Sequence, residues 1–282
     1  MRKHKLLISA IAALAVCVGS AAVAQAVITG TGITVSSTKA KQFKKQHGPI
    51  DLSITTENFE TPPTPNGQTP SVTSVDFDKD IKFTPGKLGV CTQAQLQATT
   101  TETARARCPT AVVGTGVAKS CSATAGCTAV EHQLDVTAFN GAPEGGTQIL
   151  FLHVKGVGAI AALPAIIVKG RLINSPLAGQ GYGKRLVIPD QPDTGSTGNH
   201  LITFDLDTPV LKNGLKKKVK GPKNPNTGKR KIKKVPQYFA MAKCSDKQWQ
   251  FRVETSFRAG GGTHAGTQTI PCQQKAAKKK GK

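Results

Sequence analysis

The sequence predicts an all-β fold, an antiparallel β-sandwich of jelly-roll type, and three observations carry that expectation. Short runs rich in Val, Ile, Thr and Phe recur along the chain: SVTSVDFDKDIKF, HQLDVTAF, TQILFLHV, AIIVKGRLI, HLITFDLD, QYFAMAKC and QWQFRVETSF. Between them lie turn formers, FNGAPEGG, NSPLAGQGYG, PDQPDTGSTGN, SDKQ and AGGGTHAG, so that 29 Gly and 17 Pro punctuate the chain at near-regular intervals. The one segment with helical character, TQAQLQATTTETARAR at 92–107, has Leu96 as its sole large apolar residue and almost no face to bury. It is expected to form a short helix and loop.

Taken in order, residues 1–26 read as a signal peptide: a basic start (Arg2, Lys3, Lys5), an apolar run over 6–24, and small residues in Ala24-Gln25-Ala26 for cleavage after Ala26. The run is long enough to span a bilayer, but its Ala-rich composition, the Gly19-Ser20 break and the cleavage site favour removal. Val16, branched beside Cys17, argues against a lipoprotein. Residues 27–49 lack a sustained period and are expected to be a flexible leader arm. Residues 50–272 then form a single β-sandwich domain, with a basic mobile loop at 212–236, followed by a Lys-rich disordered tail at 273–282. No segment after the leader is apolar enough to span a membrane, so the expectation is a secreted chain, extracellular or associated with the cell surface.

Cysteine usage agrees with that compartment. Without Cys17 the chain has an even set, Cys91, Cys108, Cys121, Cys127, Cys244 and Cys272, which in an exported protein reads as three disulfides. Six cysteines allow about fifteen connectivities. Proximity selects Cys91 with Cys108, Cys121 with Cys127, and Cys244 with Cys272. Structural zinc is the competing reading, but no CxxC pair is present.

The most site-like stretch is VDFDKDIKF, 75–83. In a strand Val75, Phe77, Lys79, Ile81 and Phe83 point one way and Asp76, Asp78, Asp80 and Lys82 the other. The apolar set belongs in the core, so the aspartates are expected on a solvated face. An EF-hand loop starting at Asp76 fails, having Ile81 where Gly and Lys87 where Glu are required. Another kind of cation site at Asp76, Asp78 and Asp80 is a weak metal candidate. A glycan-cleaving pair is weaker still, since the chain has one Trp (Trp249) and two Tyr (Tyr182, Tyr238) for a sugar platform. Phe204-Asp205-Leu206-Asp207 repeats the same alternation.

Other motifs do not hold. GPKNPNTGK at 221–229 has six residues between its glycines and Arg230 where a P-loop needs Ser or Thr. Gly114-Thr115-Gly116 lacks the third glycine of a dinucleotide fingerprint and reads as a strand with a close backbone approach. There is no GxSxG, and His47, His132, His153, His200 and His264 show no HExxH or HxH spacing. His153 is expected to be a half-buried strand residue. No catalytic residue and no cofactor are implied, and the chain is expected not to be an enzyme.

Charge is the outlying feature. The formal net charge is +22, and the three cations of the leader reduce it to +19 for the mature chain. Residues 212–236 hold eleven Lys or Arg and no acid, and the last eight residues hold five more. Lys216, Lys217, Lys218, Lys220, Lys229, Arg230, Lys231, Lys233 and Lys234 are therefore candidate polyanion contacts, acting through counterion release. Without interleaved aromatics the loop does not suit specific nucleic-acid binding. The partners it suits outside a cell are anionic envelope polymers: teichoic acid, acidic polysaccharide or anionic lipid. The bland alternative is charge that only keeps the chain soluble.

The succession FDKDIKFTPGKLGVC, ARCPTAVVGTGVA, FNGAPEGGTQILFLHV, GYGKRLVIP and AKCSDKQWQF with a closing Cys272 resembles a group of exported, six-cysteine β-rich proteins of actinobacteria, over roughly 50–272. The resemblance implies a secreted β-rich domain with the three local cysteine pairs, and it transfers no activity, ligand or site. The expected function is a non-enzymatic surface or matrix protein held on anionic envelope polymers. The alternative is a carbohydrate-binding or glycan-cleaving sandwich using the acidic strand 76–80.

Overall fold

The computed structural model describes residues 27–61, 70–97, 99–122, 131–189, 199–223, 225, 227–228, 230–257 and 262–274. The expected signal peptide and the tail beyond Gln274 lie outside the described residues. The strands are β1 (Val27–Ser36), β2 (Lys41–Gln42), β3 (Gly48–Pro49), β4 (Leu52–Thr61), β5 (Pro70–Asp78), β6 (Ile81–Phe83), β7 (Val112–Ser122), β8 (Glu131–Asn140) and β9 (Gln148–Gly156). They continue as β10 (Ile166–Asn174), β11 (Tyr182–Pro189), β12 (Asn199–Thr208), β13 (Lys212–Lys223), β14 (Arg230–Tyr238), β15 (Ala240–Ala242), β16 (Gln248–Phe257), β17 (Thr263–Pro271) and β18 (Gln273–Gln274). Two short helices, α1 (Gln93–Leu96) and α2 (Thr101–Arg107), occupy the segment expected to be helix and loop.

Eleven strands form one antiparallel sheet in the order β1-β4-β12-β7-β8-β9-β10-β11-β5-β16-β17. The fold is all-β and antiparallel as expected, but the opposed layers belong to a single sheet that rolls into a nearly closed barrel. Strand twist rolls a long antiparallel sheet, and bringing its ends together hides two edges that would otherwise template aggregation. At the seam the edge strands approach so closely that a Cβ on Gly266 would lie 2.2 Å from the Thr31 carbonyl oxygen. The Val35 amide donates across the seam to the Gln268 side chain.

This seam corrects the expected leader arm. Residues 27–36 pair along β4 from Val27 opposite Thr61 to Ser36 opposite Ser53, with Ile33 and Val35 buried. Gly30 and Gly32 break the alternation of VITGTGITVS, and the register shifts between Ile28 and Gly30, so the strand has no clean period of two. The glycines have a use here, since Gly32 faces Gly266 where the backbones meet.

Inside the barrel the period of two holds. Trp249, Phe251 and Val253 of β16 and Val75 and Phe77 of β5 all enter the main core. At the end where β5 stops and β16 starts, an edge-to-face cluster fills the interior: Phe77 and Phe83 at 4.8 Å, Phe77 and Phe251 at 6.3 Å, with Phe83 and Phe239 tilted at 5.7 Å. The small sheet β3-β15-β6 and the β18-β2 pair lie at this end. The disulfide Cys244–Cys272 lies here too, with its Cα atoms 5.9 Å apart. β18 also places the first two residues of the expected tail in a parallel bridge with β2. Outside the barrel, Leu96 of α1 and Ala104 of α2 pack with Phe139, Ile149 and Phe151, and Cys91–Cys108 holds this second core together. The third expected pair, Cys121 with Cys127, falls outside the described residues. Toward the opposite end the barrel interior is not filled and leaves an apolar cavity of about 200 Å³.

Candidate functional site

The acidic strand is not a wet face. Asp76, Asp78 and Asp80 are 0, 1 and 0 % exposed, which overturns the solvated-face expectation. Asp76 and Asp78 alternate with Val75 and Phe77 as read and point out of the barrel, but that outer surface is covered; the strand ends at Asp78, so Asp80 lies in the turn before β6 and not on the strand face expected for it. On one side stands Arg185 of β11 and on the other Arg252 of β16, while the segment 175–181, including a 3-10 turn at Ala178–Gln180, lies alongside.

Protein groups meet each carboxylate, and only Asp80 Oδ1 is left with an ion-pair partner in place of a hydrogen bond among these three aspartates. Asp76 accepts from Arg185 Nε at 2.8 Å and Nη2 at 2.7 Å and from the buried Ser175 hydroxyl at 2.6 Å, with Arg252 Nη1 at 3.6 Å. Glu254 contacts both guanidinium groups from the rim. Asp78 accepts the backbone amides of Asp80 at 2.7 Å and Gln250 at 3.0 Å. Burial pushes the Asp78 carboxyl up, opposed by those two amides. Asp80 accepts the Ser245 amide at 2.6 Å and pairs with Lys243 at 3.3 Å.

This arrangement is a fastening for strand ends and turns. Two guanidinium groups around Asp76 repel a cation, and buried carboxylates are closed to a glycan. Trp249, the one residue able to offer a large sugar platform, is itself fully buried and donates its indole N–H to the Lys243 carbonyl at 2.7 Å. Among the described residues, no group of three His, Cys, Asp or Glu side chains is placed to hold a metal ion. The acidic strand is therefore not supported as a metal or glycan site.

Several smaller expectations also meet the structure. His153 is fully buried, not half-buried: its Nε2 lies 3.2 Å from Thr99 Oγ1 and 3.3 Å from the Thr99 carbonyl oxygen, and burial lowers its pKa. The close backbone approach expected at Gly114 and Gly116 is present, since a Cβ on Gly116 would lie 1.9 Å from the Asp205 carbonyl oxygen. Of GPKNPNTGK, residues 221–223 end β13, and Arg230 after it opens the strand β14, which is not the strand-to-helix junction of a P-loop.

No family model, curated protein or solved structure matches the chain. Its functional reading therefore rests on its own geometry.

The candidate that geometry leaves is the basic segment. In place of the expected mobile loop at 212–236, β13 and β14 form a two-stranded ladder separate from the barrel sheet, with register shifts between Lys212 and Lys216 and between Lys220 and Lys223. Lys216, Lys217, Lys218, Lys220, Arg230, Lys233 and Lys234 are all exposed; Lys229 and the Lys231 side chain lie outside the described residues. The register sets Lys218 directly opposite Lys234, with Lys216 opposite Pro236 and Lys220 opposite Ile232 on the same face. At the hairpin base Asn213 is fully buried and donates from Nδ2 to the Thr84 carbonyl at 2.7 Å, which fixes the ladder to the barrel end.

Sequence reasoning named Lys217 but missed its neighbours at that base, His47, Lys82 and Lys243. Burial first, then Lys82 and Lys243, lowers the His47 pKa to about 4, and Lys217 of the hairpin adds to it. Burial and then Lys217 likewise lower the Lys82 amine. His47, Lys82, Lys217 and Lys243 come from four separate segments, so no local pattern could have grouped them. Only the pairing of β15 with β3 and β6 brings three of those segments together.

Proposed function

We propose that the protein is secreted and acts as a non-enzymatic, disulfide-braced surface protein, held on anionic envelope polymers by the β13–β14 hairpin. The observation that carries this is the Lys218–Lys234 cross-strand pair within an acid-free hairpin. Like charges directly opposite one another destabilise a ladder, and an isolated two-stranded ladder is marginal in water to begin with. Solubility needs dispersed charge and does not need lysines stacked face to face. With no carboxylate in the hairpin, its countercharge comes from outside it, and a polymer with regularly repeated anions can supply it along the whole ladder in place of solvent ions.

Two further observations support the reading. Lys217 of the hairpin stands near Lys82, which extends the positive surface from the hairpin onto the barrel end. Leu215, Ile232 and Val235 are 38, 57 and 40 % exposed, so apolar groups stand among the lysines, as suits a surface that meets lipid headgroups or the carbon backbone of a polymer. The disulfides fit an oxidising compartment.

The test is sedimentation with isolated cell envelopes, comparing the exported chain with a variant carrying Gln at Lys216, Lys217, Lys218, Lys231, Lys233 and Lys234. Retention at low salt that disappears at high salt, and that the variant lacks, is the expected result. Equal retention of the variant, while it still melts like the parent, would falsify the reading.

A further inference from the structure

The barrel cavity carries a second, independent inference. Its wall is mainly aliphatic, with Phe204 and the hydroxyls of Thr56, Thr73 and Ser120 among the lining, drawn from the inward faces of eight consecutive strands from β4 round to β5, and its floor is Phe77, the top of the aromatic cluster. At about 200 Å³ it exceeds the roughly 150 Å³ at which an apolar protein cavity stays dry and takes up small hydrocarbons.

Its shape selects the guest. Along β5 the lining runs from Pro70 to Phe77, seven residue steps. With a strand rise of ~3.3 Å and a tilt of about 40°, this corresponds to an axial depth of about 18 Å. A volume of this size spread over that depth is a slot, longer than it is wide, and suits one hydrocarbon chain.

Among the described residues, the slot opens beside Leu163. Beyond the end of β9, a turn at Gly158–Ile160 folds back, and Leu163 both lines the cavity and is 53 % exposed. Val157 beside it is 40 % exposed. Large apolar residues at the surface around a cavity mouth cost hydration that an entering apolar tail relieves. The connection is tied in place by Lys155, whose ammonium donates to the carbonyl of Ala161 at 2.7 Å and to that of Leu163. The register through β7, β8 and β12 places this mouth at the opposite end of the barrel from the hairpin.

We infer that the barrel binds a single-chain lipid of the fatty-acid class, with the tail in the slot and the carboxylate in water at the Leu163 lip.

The test is calorimetric titration of the exported, delipidated protein with straight-chain carboxylates from hexanoate to hexadecanoate. Binding of one molecule per chain is expected, tightening about fourfold per added methylene and levelling off once the slot is full. Val168→Phe, which fills the slot from its wall, should weaken binding at least tenfold while the melting transition is retained. Leu163→Asp acts at an exposed position and leaves the core intact, so it decides the matter if the first variant fails to fold; it too should weaken binding. Absence of saturable binding at every chain length, or equal affinity in a folded Val168→Phe and in Leu163→Asp, would overturn the inference.

Discussion

β5 and the β13–β14 hairpin both place charge at alternate positions, and they treat it in opposite ways. Asp76 and Asp78 of β5 are sealed from solvent and saturated with donors, whereas Lys216, Lys218, Lys220 and Lys234 of the hairpin are exposed, with like charge facing like charge. The difference lies in the neighbours. β5 is an interior strand of the barrel with Arg185 and Arg252 opposite Asp76, while the hairpin ladder pairs only with itself. A period of two states which side chains share a face. What stands over that face is decided by residues far away in sequence, Arg185 and Arg252 for Asp76 and, on the present account, an external polymer for the hairpin.

The comparison can be broken most forcefully at Asp76. Asp76→Ala leaves two arginines side by side with no carboxylate between them, and removing one partner of a buried ion pair costs about 3–5 kcal/mol. The melting temperature should fall by roughly 10 °C. A shift within a degree would mean that the network is not fastening β11, β5 and β16. The seam is the next largest. Gly266→Val drives side-chain atoms into the Thr31 carbonyl, and overpacking of this kind costs about 1–3 kcal/mol. Hydrogen exchange should accelerate in β1 before the rest of the sheet; uniform protection would show that the barrel closes without it.

The cationic end makes a pH prediction. The His47 pKa is about 4 in the folded protein against an unperturbed 6.5, so between those values the unfolded chain binds the proton and the folded chain does not. Its contribution is fully present above pH ~6.5, is lost as pH falls towards ~4, and then levels off. Urea unfolding across this window should show the slope, and His47→Gln should flatten it; an unchanged slope would place the titration elsewhere. The smallest effect sharpens the contrast directly. Lys218→Glu converts a like-charge pair into an opposite one, which should stabilise the ladder by ~0.2–1 kcal/mol while weakening polyanion retention. Stability and retention moving together would contradict the assignment.

Much of the frame was legible in the sequence. The strand runs, the cysteine pairs Cys91–Cys108 and Cys244–Cys272, and the tight approach at Gly116 each follow from local chemistry. β1 was not legible, because the glycines that let it close the barrel are the residues that erase its alternation. Nor was the fate of the aspartates: a carboxylate facing away from the core is wet by default, and only the registers of β11 and β16 bring Arg185 and Arg252 over Asp76. Trp249 shows the same limit, since its position in β16 gives its face but not the full burial it attains. The lysines of the hairpin were visible as composition. Their stacking, Lys218 against Lys234, required the ladder.

The most direct measurement is the salt dependence of binding between the protein and a soluble polyphosphate chain. If the hairpin is the docking element, the logarithm of the binding constant should fall linearly with the logarithm of salt, and each lysine changed to Gln among Lys216, Lys218, Lys220 and Lys234 should reduce the slope by about 0.7. A slope that stays the same after all four are replaced would contradict the account.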